Sequence, residues 1–157
     1  QALKKAKVID IYTSSGNIYF AQNFQFQMQE IGVSVNVPIE EYHQRLLASQ
    51  SDKTHLAIII SFEGRGILAN IIPKMLQDNG TPILLISSYQ YKPLFTVNYH
   101  LYMSSLENHY HKISSFSTRL SILYILDVLY TCYFSLDYDE NLMKKLSYYK
   151  VINENDL

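Results

Sequence analysis

The sequence predicts a three-layer αβα sandwich around one parallel β-sheet. Two observations predict it. Short β-rich runs, at Lys7–Tyr12, Val33–Val37, His55–Ser61, Pro82–Ser87 and Val97–Met103, alternate with longer segments of helical spacing. Two of those runs hold unbroken apolar stretches, Ala57-Ile58-Ile59-Ile60 and Ile83-Leu84-Leu85-Ile86. Continuous apolar strands are expected at the centre of a parallel sheet, where helices cover both faces. Strand–helix–strand alternation then implies right-handed crossovers.

The helical segments carry their own start and stop signals. The first begins near Gly16–Asn17, presents Phe20, Phe24, Met28 and Ile31 on one face, and stops at Gly32, a helix-ending residue. The second spans Ile39–Ser49, with Pro38 before it and Glu40 and Glu41 in its first turn, where the helix dipole favours acids. The third holds Ile67, Leu68, Ile71, Ile72, Met75 and Leu76 and ends at Gly80. Pro73 falls inside it and is expected to kink or split it, since an internal proline costs about 3 kcal/mol. The last strand mixes Asn98 and His100 with apolar residues, as an edge strand does. A long helix is expected over Ser114–Ser135, a short one over Glu140–Tyr148, and a frayed polar tail over Asn153–Leu157.

Composition bounds the function classes. A chain of 157 residues with 48% apolar and 17% charged residues reads as one folded domain, here residues 1–157, and not as a disordered segment. The net charge of −1 gives no electrostatic footprint for nucleic acid or an anionic membrane. The single cysteine, Cys132, rules out an intrachain disulfide. Its apolar surroundings predict a buried, inert thiol in a reducing compartment, so a cytoplasmic setting is expected. Residues Gln1–Lys7 are lysine-rich, and no apolar signal region follows them. Leu120–Leu136 is shorter than the ~20 residues of a spanning helix and carries Asp127, so it is read as a buried helix. The abrupt start, a lysine-rich turn leading straight into a strand, reads as the C-terminal part of something longer.

In an open parallel sheet, ligands bind beyond the carboxyl ends of the strands. Three loops are expected there: Thr13-Ser14-Ser15-Gly16-Asn17, Ser61-Phe62-Glu63-Gly64-Arg65-Gly66, and Ser87-Ser88-Tyr89-Gln90. The first two are expected to run into helix N-termini. Hydroxyls, glycines and helical N–H groups suit an oxyanion such as a phosphate. The same residues are also ordinary turn and cap formers. The candidate ligand-binding residues are Ser14, Ser15, Asn17, Ser61, Glu63, Arg65, Ser87 and Ser88, with no cofactor or metal.

The order of these features resembles the sugar-isomerase (SIS) domain, and within it the RpiR/MurR-type bacterial transcription regulators. The resemblance is carried by Ala21-Gln22-Asn23-Phe24 through Glu30-Ile31-Gly32, Ala57 to Ser61, and Asn79-Gly80-Thr81-Pro82-Ile83. Ser87-Ser88 with Pro93-Leu94 beyond, and Ser117-Thr118-Arg119-Leu120, carry it further. It implies a flavodoxin-like five-stranded sheet of order 2-1-3-4-5. It further implies a domain that senses phosphosugars and pairs as a homodimer, with DNA bound only through a separate N-terminal helix-turn-helix domain. The family's third-strand loop reads Ser-x-Ser-Gly-x-Thr. Here Ser61 and Gly64 match, while Glu63 and Gly66 replace the second Ser and the Thr. Arg65 is expected either to bind phosphate bidentately or to pair with Glu63.

Two alternatives stand beside the regulator: a phosphosugar aldose–ketose isomerase, and an SIS module that only dimerises. The enzyme would draw on Glu107, His109 and His111 after the last strand, where His-x-His also resembles a metal site in composition. His43 and His55 have no distinguishing context. Tyr124, Tyr130, Tyr133 and Tyr138 lie along or just after the long helix. A helix apolar nearly all round is either buried or shared with another subunit.

Overall fold

Alternation along the strands builds two separate cores. In the computed structural model, which describes residues 1–103, 107, 111 and 113–154, strand β1 (Val8–Tyr12) sends Ile9 and Ile11 to one side and Tyr12 to the other. Strand β3 (His55–Ile60) does the same with Ile58 and Ile60 against Ala57 and Ile59. Strands β2 (Val35–Asn36), β4 (Ile83–Ser88) and β5 (Tyr99–Met103) complete a parallel sheet of order β2-β1-β3-β4-β5, as the sequence predicts. The central strands β3 and β4 are buried along nearly their whole length. β5 is an edge, and its start is fixed by Asn98, whose side chain accepts from the Ile83 N–H at 2.8 Å.

One face of the sheet is covered by α2 (Asn17–Gln29) and α5 (Phe116–Leu136), the other by α3 (Glu41–Gln50) and α4 (Ile71–Asp78). A four-residue turn of helix, α1 (Ala2–Lys5), precedes β1, and α6 (Tyr138–Glu154) closes the chain. Phe24, Met28 and Ile31 are buried as expected, and Gly32 takes φ +78°, the left-handed conformation that ends the helix. Pro73 splits the third helical segment. Gly66–Leu68 forms a 3-10 turn, and α4 starts afresh at Ile71. This puts Pro73 in the first turn of α4, where a backbone N–H has no intrahelical partner to lose.

Four expectations need correction. Cys132 is exposed: α5 buries the stripe Thr118, Ile122 and Leu126 and packs Ile125, Leu129, Tyr130, Tyr133 and Phe134 partly against the core, and Cys132 lies off that face. The same stripe makes α5 a half-covered helix and not a buried one: Leu120, Tyr124, Val128 and Leu136 are exposed. By length and composition alone α5 would pass for a membrane span, yet one face of it lies against the sheet and α2. The last helix runs over Tyr138–Glu154, well beyond Glu140–Tyr148, so Asn153 is helical, while 155–157 lie outside the described residues. It is tied down by Lys145, which donates to Glu30 at 2.9 Å, and by the Tyr149–Glu30 and Lys4–Asp137 contacts. Finally, His55 does have a context. The buried Asp10 carboxylate accepts from its Nδ1 at 2.6 Å and from Asn36 at 2.8 Å, at the amino end of the sheet.

Candidate functional site

β1 and β3 both end at the carboxyl edge in a polar turn, and the turns face each other. After β1, Ser15 adopts φ +53°, a left-handed conformation uncommon for a residue with a side chain. The turn folds back so that the Asn17 and Ile18 N–H groups donate to the Ser14 and Ser15 carbonyls at 3.3 and 3.2 Å. Thr13 is buried and locks the two strand ends together, donating to the Ile60 carbonyl at 2.8 Å. After β3, Gly64 takes φ +66° and Gly66 φ +56°. The Ser61 hydroxyl accepts from the Gly64 N–H at 3.1 Å, closing the turn. Tyr91, from the connection after β4, lies against Gly64 so closely that any Cβ there would collide with its ring. Burial pushes the Tyr91 hydroxyl pKa upward.

Between these turns lies a cleft of about 530 Å³. Ser14, Ser15, Asn17, Ser61, Glu63 and Arg65 all line it, as do Ser114, Ser115, Thr118 and Arg119 from the start of α5. Among the described residues, Ile60 and Phe62 add the apolar side chains of the lining. Such a surface suits a small hydroxylated ligand. Glu63 and Arg65 pair across the Gly64 turn at 3.2 Å, both about half-exposed. Arg119 donates to the Ser114 hydroxyl at 3.2 Å and adds a second guanidinium to the lining.

Ser87 and Ser88 are not brought to this cleft. β4 extends through both, and they are 0% and 3% exposed. The Ser87 hydroxyl lies 2.7 Å from His100 Nε2 on β5. The Ser61–Gly66 loop also differs from expectation. It enters a 3-10 turn, so no α-helix N-terminus points from it at the cleft. The second helix start at the cleft belongs instead to α5. The signal was available: a Ser/Thr/Arg cluster opens an apolar helix that follows a carboxyl-edge loop. What the sequence lacked was any reason to bring the start of α5 to the same cleft as the turn after β1.

The enzyme candidates separate. The Glu107 carboxylate accepts from the Ser117 N–H at 2.6 Å, the Ser117 hydroxyl at 2.8 Å, the Thr118 N–H at 3.2 Å and the Thr118 hydroxyl at 2.7 Å. It caps α5. His111 is exposed, and His109 lies outside the described residues. Among the described residues no three His, Cys, Asp or Glu side chains gather as a metal site.

Comparison with known proteins adds the lineage. No curated protein matches the sequence. Among solved structures, the fold is similar to the Vibrio vulnificus NanR protein complexed with ManNAc-6P. That match has a TM-score of 0.82 and 15% identity, over 98% of this chain and 58% of that one. The chain thus spans less than two thirds of NanR. It is also similar to the sugar isomerase domain of an RpiR transcription factor from Sphaerobacter thermophilus, at TM-score 0.79 and 12% identity, covering 95% and 82% of the two chains. A third similar structure is a Methanococcus jannaschii protein whose inferred function is 3-hexulose-6-phosphate isomerase (TM-score 0.62, 15% identity, 91% and 79% coverage). The SIS domain model matches residues 2–132, and with this strand order the chain belongs to the SIS domain family.

Proposed function

We propose that this chain is the phosphosugar-sensing domain of a cytoplasmic transcription regulator, binding a sugar phosphate or related anionic metabolite in the Ser14–Arg119 cleft. One observation carries the reading. Hydroxyl-rich turns from three separate chain segments meet there with two guanidiniums, Arg65 and Arg119. Hydroxyls match a sugar, and guanidinium matches phosphate geometry and charge. That NanR was determined with ManNAc-6P supports the ligand class. The reading is of a sensor and not an isomerase, because Glu107 is committed to capping α5. DNA would be bound by a domain outside this chain. Pairing with a second copy is part of the same proposal, supported by the exposed Leu120, Tyr124 and Val128 stripe on α5.

Isothermal titration against a panel of hexose and N-acetylhexosamine 6-phosphates tests the site. Ser15→Gly removes a hydroxyl while keeping the left-handed backbone, and Asn17→Ala removes an amide. Each is expected to weaken binding by about three- to tenfold, the worth of one net hydrogen bond. Binding that ignores both changes places the ligand elsewhere. Among the alternatives, the ligand-less dimerisation module has one specific observation in its favour, the Glu63–Arg65 pair sitting inside the cleft. It would be the correct reading if no member of the panel binds the wild type or any variant.

A further inference from the structure

We propose that Glu63 is a built-in counter-ion that competes with the ligand for Arg65, while Arg119 on α5 takes the ligand's anionic group. The inference rests on the anion-binding reading above. Glu63 and Arg65 are two residues apart and pair at 3.2 Å within the cleft lining. Their geometry is imposed by the loop: Gly64 between them is left-handed, its N–H is held by the Ser61 hydroxyl, and Tyr91 packs on its open side. The turn therefore presents a carboxylate and its own cation together, and their charges cancel. Arg119, from the start of α5, donates to a neutral hydroxyl, and among the described residues no carboxylate pairs with it.

The pair is a weak one. Both side chains are close to half-exposed (48% for Arg65 and 42% for Glu63), so water and salt screen it. A phosphate dianion arriving at Arg119 would meet repulsion from Glu63 and attraction from Arg65 in near balance. Arg65 also borders a second hollow, shared with Ile39, Gln44 and Ile67, so it stands on the wall between two spaces. Glu63 thus sets the threshold at which the cleft accepts an anion. Replacing its charge removes the carboxylate that competes with the ligand for Arg65.

The test is calorimetry on the whole chain with inorganic phosphate and a hexose 6-phosphate at low and high salt. Glu63→Gln keeps the side chain's shape and removes the charge. It is expected to tighten binding by about three- to tenfold at low salt, with the gain shrinking as salt rises. Glu63→Gln with Arg65→Gln is expected to return to near the wild-type affinity, because the gain comes from Arg65. Arg119→Gln is expected to weaken binding at least about tenfold, as loss of a charge-assisted contact does. Binding by Glu63→Gln where the wild type shows none also supports the counter-ion role. If the wild type binds and Glu63→Gln is unchanged or weaker, this role is wrong and the sensing reading survives. An unchanged Arg119→Gln refutes the assignment of the anion to α5. If neither the wild type nor Glu63→Gln binds either probe, both readings fall. Thermal melts of each variant confirm that it is folded.

Discussion

Ser87 and His100 show how a single side chain can change its meaning between sequence and structure. Ser87 sits at a strand end, where a ligand hydroxyl is expected, yet it is fully buried and held 2.7 Å from His100 Nε2. His100 also stacks at a tilt on Tyr102, with ring centroids 4.1 Å apart. Burial, and secondarily the nearby Lys92 charge, lower its pKa below the ordinary 6.5. The unfolded chain therefore takes up the proton at a higher pH than the folded one. The stability tied to neutral His100 is fully present above about pH 6.5 and is lost as the pH falls through the folded-state value. Thermal melts between pH 7.5 and 5.5 should show a smaller acid-induced drop in His100→Gln than in the wild type. Parallel profiles would mean that the ring does not titrate differently on folding.

At the scale of an element, α5 depends on a residue far from its own sequence span. Its first N–H groups are satisfied by Glu107, ten residues before Ser117, through bonds to both backbone and hydroxyl. A carboxylate there also meets the positive end of the helix dipole. Glu107→Ala is expected to cost about 1–2 kcal/mol. For a chain of this length that lowers the melting temperature by roughly 2–8 °C. Because Ser114, Ser115, Thr118 and Arg119 all stand on this end of α5, the variant should also loosen the cleft. Differential scanning calorimetry decides it: a melting temperature unchanged by Glu107→Ala would release Glu107 from the capping role and return it to the list of catalytic candidates.

At the scale of the whole molecule, α5 leaves an apolar face uncovered. Leu120, Tyr124 and Val128 on α5 are spaced by four residues and are 51%, 71% and 40% exposed. Met143 and Leu146 on α6 add to the apolar surface at that end of the chain. A contiguous exposed apolar face marks an interaction surface more often than chance placement does. Pairing through a second copy of the same face would satisfy two-fold symmetry, with each patch meeting itself. Tyr124→Asp together with Val128→Asp is expected to convert a dimer into a folded monomer in sedimentation velocity at micromolar concentration. A wild-type chain that sediments as a monomer, or a double variant that remains paired, would remove this face from the proposal.

Much of the fold was legible because it is written in short-range chemistry. Ala57–Ile60 and Ile83–Ile86 read as doubly covered strands, Gly32 and Gly80 ended helices through left-handed turns, and Pro73 marked a break. Strand order was legible through the resemblance. The cleft was legible in part: Ser14, Ser15, Asn17, Ser61, Glu63 and Arg65 sit on turns whose composition announces them, and the Glu63–Arg65 pairing is a local contact. Three things depended on the tertiary structure. Ser87 and Ser88 are buried because β4 runs one residue longer and β5 pairs beside it, which neither strand's own residues decide. Arg119 reaches the cleft only because α5 packs on α2, and its first turn then shares the cleft with the turns after β1 and β3. Cys132 and the Leu120–Val128 stripe are exposed because a helix apolar on every side has no periodicity to say which face meets the core. Local propensity is set by neighbours in the chain, whereas burial and site membership are set by neighbours in space.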